Sequence, residues 1–264
     1  MAKGGGHGLV TVWEDFTSGI AQTLTDATEY RHGQVRLAAI SGNVAMAINV
    51  SLGNGVATFS GAGGATDGIA IYAMPFQPST QGTIAMEVRW RTSLLTSYGF
   101  FLGWQETVSV AEPVNPFTLS GTTLTANNGG NVWGMYYDSA ASTADVRAHA
   151  SIDGTAQTAA LNAAGTALGA LGIRATTTLT AASWMYARVE LDGNAAGRVY
   201  YGDAVLTPGD PGGSGPKLIA DIRGSVLDNT AFYHPIAILV DPSTNDPLHS
   251  VDFFGAHAGR NWNF

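Results

Sequence analysis

The 264-residue chain has no cysteine and only two lysines, Lys3 and Lys217. The first absence excludes disulfide stapling and thiolate-ligated zinc, and it removes the cue that separates reducing from oxidising compartments. The second bears on partners. Nucleic acids are held through clustered positive charge on their phosphates. Here the formal net charge is −8 and no basic stripe occurs, so no nucleic-acid partner is expected. Charge of either sign is scarce, at 12% of residues against about a quarter in ordinary globular domains. Such a surface suits a protein that hides much of itself in an assembly, or one whose loops are tightly packed. No window approaches the roughly 18 apolar residues of a spanning helix, and no membrane partner is expected. The opening stretch MAKGGGHGLVTVW lacks the apolar core, about 7 to 15 residues long, of a secretory signal. Synthesis in a cytoplasm is therefore expected.

Catalytic and metal signatures are missing as well. There is no Gly-x-Ser-x-Gly elbow, and the glycine-rich segments carry no Gly-Lys-Ser/Thr to cradle phosphate. His7, His32, His149, His234, His249 and His257 show no His-x-x-x-His spacing. Asp67, Asp138, Asp145 and Asp252 form no Asp-x-Asp-x-Asp run. No cofactor is expected, and a structural calcium is the one ion these acids leave open. Glu190, Leu191 and Asp192 come nearest to chemistry, since retaining glycosidases of the sandwich type carry paired acids on one strand face. The third acid of that pattern is absent, because Gly193, Asn194, Ala195 and Ala196 follow. Asp192, Gly193 and Asn194 read as a turn that takes Asp192 off the strand face. No enzymatic activity is expected.

What the chain does contain is glycine, 34 residues of it, punctuating short alternating segments. Residues 1–12 read as a flexible arm ahead of one domain over 13–264, and 13–31 as mostly loop. Alternation of period two marks strands around Val35–Ala39, Val44–Val50, VATFS and GIAIYAM, too closely spaced for parallel crossovers. In Thr83–Arg91, Ile84, Met86, Val88 and Trp90 face one side and Glu87, Arg89 and Arg91 the other; FFLGWQET is expected to pair with this strand. Residues 108–130 read as a long loop, 132–138 and 145–152 as a hairpin, and 155–173 as either a short helix or an extended excursion. The clearest hairpin is Ser183–Leu206. Met185, Ala187, Val189 and Leu191 point inward from its first arm, against Trp184, Tyr186, Arg188 and Glu190. PIAILV reads as a buried strand, and HSVDFF closes the chain with Val251 and Phe253 on one face. Trp13, Trp104 and Trp133 have no interpretable spacing.

The succession TIAMEVRW, FFLGW, SWMYARVELDG, VYYGDAVL and HSVDFF resembles the concanavalin A-like (laminin G-like) jelly rolls over roughly residues 34–260. Among these it is most similar to structural proteins of tailed-phage virions. The resemblance implies an all-β, two-sheet antiparallel jelly-roll sandwich without catalysis. It also implies a virion location, as a capsid decoration or cement protein binding the major capsid protein and copies of itself as a homo-oligomer. The alternative is a carbohydrate-binding or receptor-binding tail appendage, with a glycan as ligand. The resemblance carries no residue motif. The candidate partner-binding residues come instead from the arm, Lys3, His7 and Leu9, and from the outward face of the hairpin, Trp184, Tyr186 and Arg188.

Overall fold

The computed structural model describes residues 9–17, 21–26, 28–48, 55–61, 67–108, 115–120, 123–127, 130–139, 145–158, 167, 169, 172–174, 179–203, 216–223, 227–241 and 247–259. In chain order the strands begin with β1 (Leu9–Glu14), β2 (Gln22–Leu24), β3 (Glu29–His32), β4 (Val35–Ile40) and β5 (Val44–Ile48). There follow β6 (Ala57–Ser60), β7 (Gly68–Tyr72), the single-turn helix α1 (Pro78–Gln81), β8 (Ile84–Thr92) and β9 (Gly99–Gln105). Next come β10 (Phe117–Ser120), β11 (Thr123–Ala126), β12 (Val132–Asp138), β13 (Arg147–Ile152), β14 (Thr155–Ala156) and β15 (Ile173–Arg174). The last five are β16 (Met185–Leu191), β17 (Gly197–Asp203), β18 (Lys217–Ile222), β19 (His234–Val240) and β20 (His249–Gly259).

These strands form two antiparallel sheets, packed face to face. The first runs β18-β17-β16-β8-β20-β6-β5-β2, with β1 also on β20; the second runs β14-β13-β12-β9-β19-β7-β4-β3, with β15 also on β13. Between them lies the main core, which includes Phe59, Trp90, Phe100, Trp104, Trp133, Val189 and Phe254. Alternation accounts for the inner face of the first sheet. Met185, Ala187, Val189 and Leu191 are all buried, as the period of two requires. Two indoles of the second sheet reach across to the backbone of β16. Trp104 Nε1 donates to the carbonyl of Val189 and Trp133 Nε1 to that of Glu190, each at 3.0 Å. Both tryptophans are thus cross-sheet ties, a role that strand periodicity does not reveal.

The second sheet is buried on its other side too. Every residue of β9 is buried, and Phe101, Val132, Tyr136, Ile236 and Ile238 form a second apolar cluster with Phe117. This is why FFLGW and VWGMYY read as nearly continuous apolar runs: a strand covered on both faces loses its alternation. Phe117 belongs to β10, which pairs with β11, so part of the expected 108–130 loop is a hairpin laid over that sheet. Its ring meets Phe101, Tyr136 and His149 at centroid distances of 5.9, 5.5 and 5.6 Å.

Three further expectations change in the structure. FFLGWQET does not pair with the preceding strand: β8 lies between β16 and β20 in the first sheet, and β9 between β12 and β19 in the second. The connection crosses between layers. Residues 9–12, read with the arm, and part of 13–31 are strand, since β1 pairs with β20 from Leu9↔Gly259 to Glu14↔Phe254, while β2 and β3 add edges. The third change is in β20. A register shift between Val251 and Phe253 places Asp252 in a β-bulge, so Val251 is buried opposite Trp90 while Phe253 turns to the outer face opposite Arg89. The 132–138/145–152 and 183–206 hairpins form as expected. The segment 155–173 contains β14 and the first residue of β15, its remaining residues being largely outside the described set.

Candidate binding surface

The outer face of the first sheet carries the chain's polar and aromatic residues in cross-strand rows. One row contains Tyr186, Arg89 and Phe253; the next contains Tyr200, Arg188, Glu87, Gly255 and Trp13. A third contains Arg198, Glu190, Ala85, His257 and Thr11. Trp184, one residue before β16, lies beside Arg91 at the end of the rows.

Ion pairs fill the centre of this face. Arg188 donates from Nε to Glu190 Oε1 at 2.7 Å and from Nη1 to Glu87. Arg198 lies 3.7 Å from Glu190 and 3.9 Å from Asp192, and Arg89 Nη1 donates to Asp252 Oδ2 at 2.7 Å. Burial works against the Arg188 charge, yet Glu190 and Glu87 outweigh it and hold the guanidinium above its ordinary pKa. Burial, then Glu87, raises the Tyr186 phenol above its usual range. Burial, with Arg188 adding to it, holds His257 below the usual imidazole value. Glu190 is therefore a ladder residue paired with arginines. Asp192 closes the β16–β17 turn, its Oδ1 accepting from the amides of Asn194 at 2.9 Å and Ala196 at 3.0 Å. The glycosidase-like fragment is spent on an ion-pair ladder and a turn.

Along the margin of the ladder runs an aromatic strip. Trp13 stacks on Phe253 with centroids 4.7 Å apart and planes 20° apart, and Tyr186 meets Phe253 at 6.2 Å. Gly255 makes room for the indole, because a Cβ there would stand 2.5 Å from the Trp13 ring. Trp13 is 45% exposed, so much of its ring is open to solvent. At the other end, the guanidiniums of Arg89 and Arg91 lie over the Trp184 ring at 4.8 and 4.7 Å. Counting three strand spacings and four residues of rise, the strip spans roughly 20 Å from Trp184 to Trp13. Near Trp13, whose amide donates to Gln34 Oε1 at 3.4 Å, a pocket of about 350 Å³ is lined by Thr11, Arg31, Gln34, Arg36 and Met74 among others.

Of the residues singled out from the sequence, Trp184, Tyr186 and Arg188 come together here. Leu9 opens β1 opposite Gly259, and Lys3 and His7 lie outside the described residues. Trp13, Phe253, Arg89 and Arg91 complete the surface without having been singled out. The alternation in LVTVWE marks Trp13 as outward-facing, since Val10 and Val12 pack on the core; Phe253 has no such signal, because the bulge reverses its parity. Elsewhere, Asp145 binds Arg147 and Arg174 at 3.1 and 2.8 Å. Among the described residues no group of three or more histidine or acidic side chains converges as a metal would require.

No family model and no curated protein sequence matches the chain. Solved structures do. It is similar to a protein of unknown function from Shewanella oneidensis MR-1, with a TM-score of 0.55 at 12% identity over 96% of this chain and 87% of that one. Peanut lectin superposes with a TM-score of 0.53 at 9% identity, over 95% of this chain and 97% of the lectin. The carbohydrate recognition domain of Emp47p gives 0.51 at 9% identity, over 91% and 97% of the two chains. At such identities the likeness speaks for the fold alone, and the fold is a two-sheet antiparallel jelly roll of the concanavalin A-like, legume-lectin type.

Proposed function

We propose that this protein is a non-catalytic binding module that recognises a saccharide along the aromatic strip of its first sheet. One observation carries the reading: Trp13, stacked on Phe253 and 45% exposed, offers an open aromatic surface beside a row of fixed hydrogen-bonding charges. Sugars present apolar C–H faces and hydroxyl edges, and recognition sites of this kind combine aromatic walls with a few placed polar groups. The fold neighbours include a lectin and a carbohydrate recognition domain, which supports the reading without locating a site. Titration of a saccharide panel into wild type and Trp13→Ala tests it. Binding by wild type that weakens about tenfold or more in the variant, ~1.4 kcal/mol, is expected. An absence of saccharide binding by wild type overturns the proposal.

The reading as a capsid decoration protein places a protein partner on the same face. It is favoured by one feature, the pairing of β1 with β20 from Leu9 onward, which joins the N-terminal end of the chain to this sheet. Binding to undecorated capsids, lost on deleting residues 1–8 or in Trp13→Ala, would select it over the saccharide.

A further inference from the structure

Resting on the saccharide reading, we propose that the Arg91–Trp184 end of the strip binds the carboxylate of an acidic saccharide, a hexuronic acid unit. Counting charges along the outer face singles out one arginine. Arg89 is neutralised by Asp252, Arg188 by Glu87 and Glu190, and Arg198 by Glu190 and Asp192. Arg91 has no carboxylate within ion-pair distance among the described residues, although acids outnumber lysines and arginines 20 to 12 in the sequence. It is nevertheless held in place. Its guanidinium lies 4.7 Å from the centre of the Trp184 ring, and that of Arg89 lies 4.8 Å from the same ring.

Two like charges gathered on one indole repel each other, and Asp252 answers only one of them. An anion brought to Arg91 completes the pattern that the other three arginines already show. The guanidinium matches a carboxylate through two parallel N–H···O bonds, a geometry in which its planar fork is worth more than a lysine. Trp184 is a positioning residue here: its ring orients the guanidiniums, and the stacking surfaces for sugar rings are left to Phe253 and Trp13 farther along the strip. A chain of sugars laid along the strip from Trp13 thus brings an acidic unit to Arg91. Asp252 and Glu87 are committed to arginines, so they do not repel it as free carboxylates would.

The test uses the full chain with oligogalacturonate and hyaluronan oligosaccharides, each beside its carboxyl-reduced neutral counterpart, at low and high salt. The variants are Arg91→Gln, Arg91→Lys and Trp13→Ala. Wild type is expected to bind at least one acidic oligosaccharide about tenfold or more tightly than its reduced form, with a preference that shrinks as salt screens it. Arg91→Gln should erase that preference, so that acidic and reduced forms bind the variant alike, while Arg91→Lys restores only part of it. Equal binding of acidic and reduced forms, weakened by Trp13→Ala, overturns the acidic inference and leaves the saccharide reading standing. A preference that survives Arg91→Gln also overturns it, as does failure to bind the acidic form of both polymers; the saccharide reading falls only when the wider saccharide panel shows no binding either.

Discussion

Lowering the pH from 7.5 to 5.0 should destabilise this fold measurably through one residue, His249. Its ring is 3% exposed, tilted against Tyr98 at a centroid distance of 5.3 Å. Burial alone pushes its pKa down to about 3. The unfolded chain takes up that proton near the ordinary value of about 6.5, whereas the folded chain refuses it until far lower pH. Protonation below 6.5 therefore favours the unfolded state, and stability falls as pH falls through the window between 6.5 and 3. Integrating the difference in bound protons from pH 7.5 to 5.0 gives about 2 kcal/mol lost from this group, with a limiting slope of about 1.4 kcal/mol per pH unit. In a domain of this size that corresponds to roughly 4 to 8 °C in melting midpoint. Chemical denaturation at a series of pH values measures it, with His249→Phe as the reference variant because it keeps a ring against Tyr98 and removes the titration. His234 and His257 are also held low, with burial the largest cause in each, so the wild-type slope exceeds the contribution of His249. The difference between the two slopes isolates that contribution. Identical slopes in wild type and variant would refute the reasoning, as would an NMR titration of folded His249 near 6.5.

Two glycines probe the two sides of the first sheet. A Cβ at Gly197 would meet the Trp133 ring at 2.5 Å, and that ring is fully buried and tied to the Glu190 carbonyl. Gly197→Ala should cost about 1 to 3 kcal/mol, read as a lower denaturation midpoint. Gly255→Ala brings a Cβ equally close to Trp13, but that ring is 45% exposed and free to swing out. Here the expected loss is of tryptophan–Phe253 stacking, seen as a fluorescence shift and weaker saccharide binding, with less than about 1 kcal/mol of stability. Equal destabilisation by both changes would contradict the assignment of the two faces. Phe117→Ala removes the ring that seats the β10–β11 hairpin on Phe101 and Tyr136. Large-to-small changes of this kind cost about 3 to 5 kcal/mol at buried sites. Because the hairpin pairs only within itself in the sheet topology, the loss should show as faster amide exchange in β10 and β11 before β12 or β19 is affected.

Much of the fold is legible along the chain because a strand with one wet face alternates. The inward series Met185, Ala187, Val189 and Leu191, the turn after Leu191, and the outward position of Trp184, Tyr186 and Arg188 all follow from a period of two and local turn chemistry. The Asp192 side chain caps its own turn within five residues, so that information is entirely local. Sheet membership is not local. Nothing in FFLGW states that β9 leaves β8 for the opposite layer, because the connection between them is as short as a hairpin would need, and burial on both faces erases the alternation.

The aromatic strip at the margin of the ion-pair ladder shows the same division most clearly. Sequence by itself determined a β-rich chain, poor in charge, whose central hairpin exposes an aromatic and charged face. Only the tertiary structure decided what that face is made of. Trp13 reaches it because β1 pairs with the far end of β20, more than two hundred residues away in sequence. Phe253 reaches it because a bulge at Asp252 inserts one residue and reverses every side chain beyond it. Pairing partners and single-residue register shifts depend on contacts between distant segments, which a local period cannot encode.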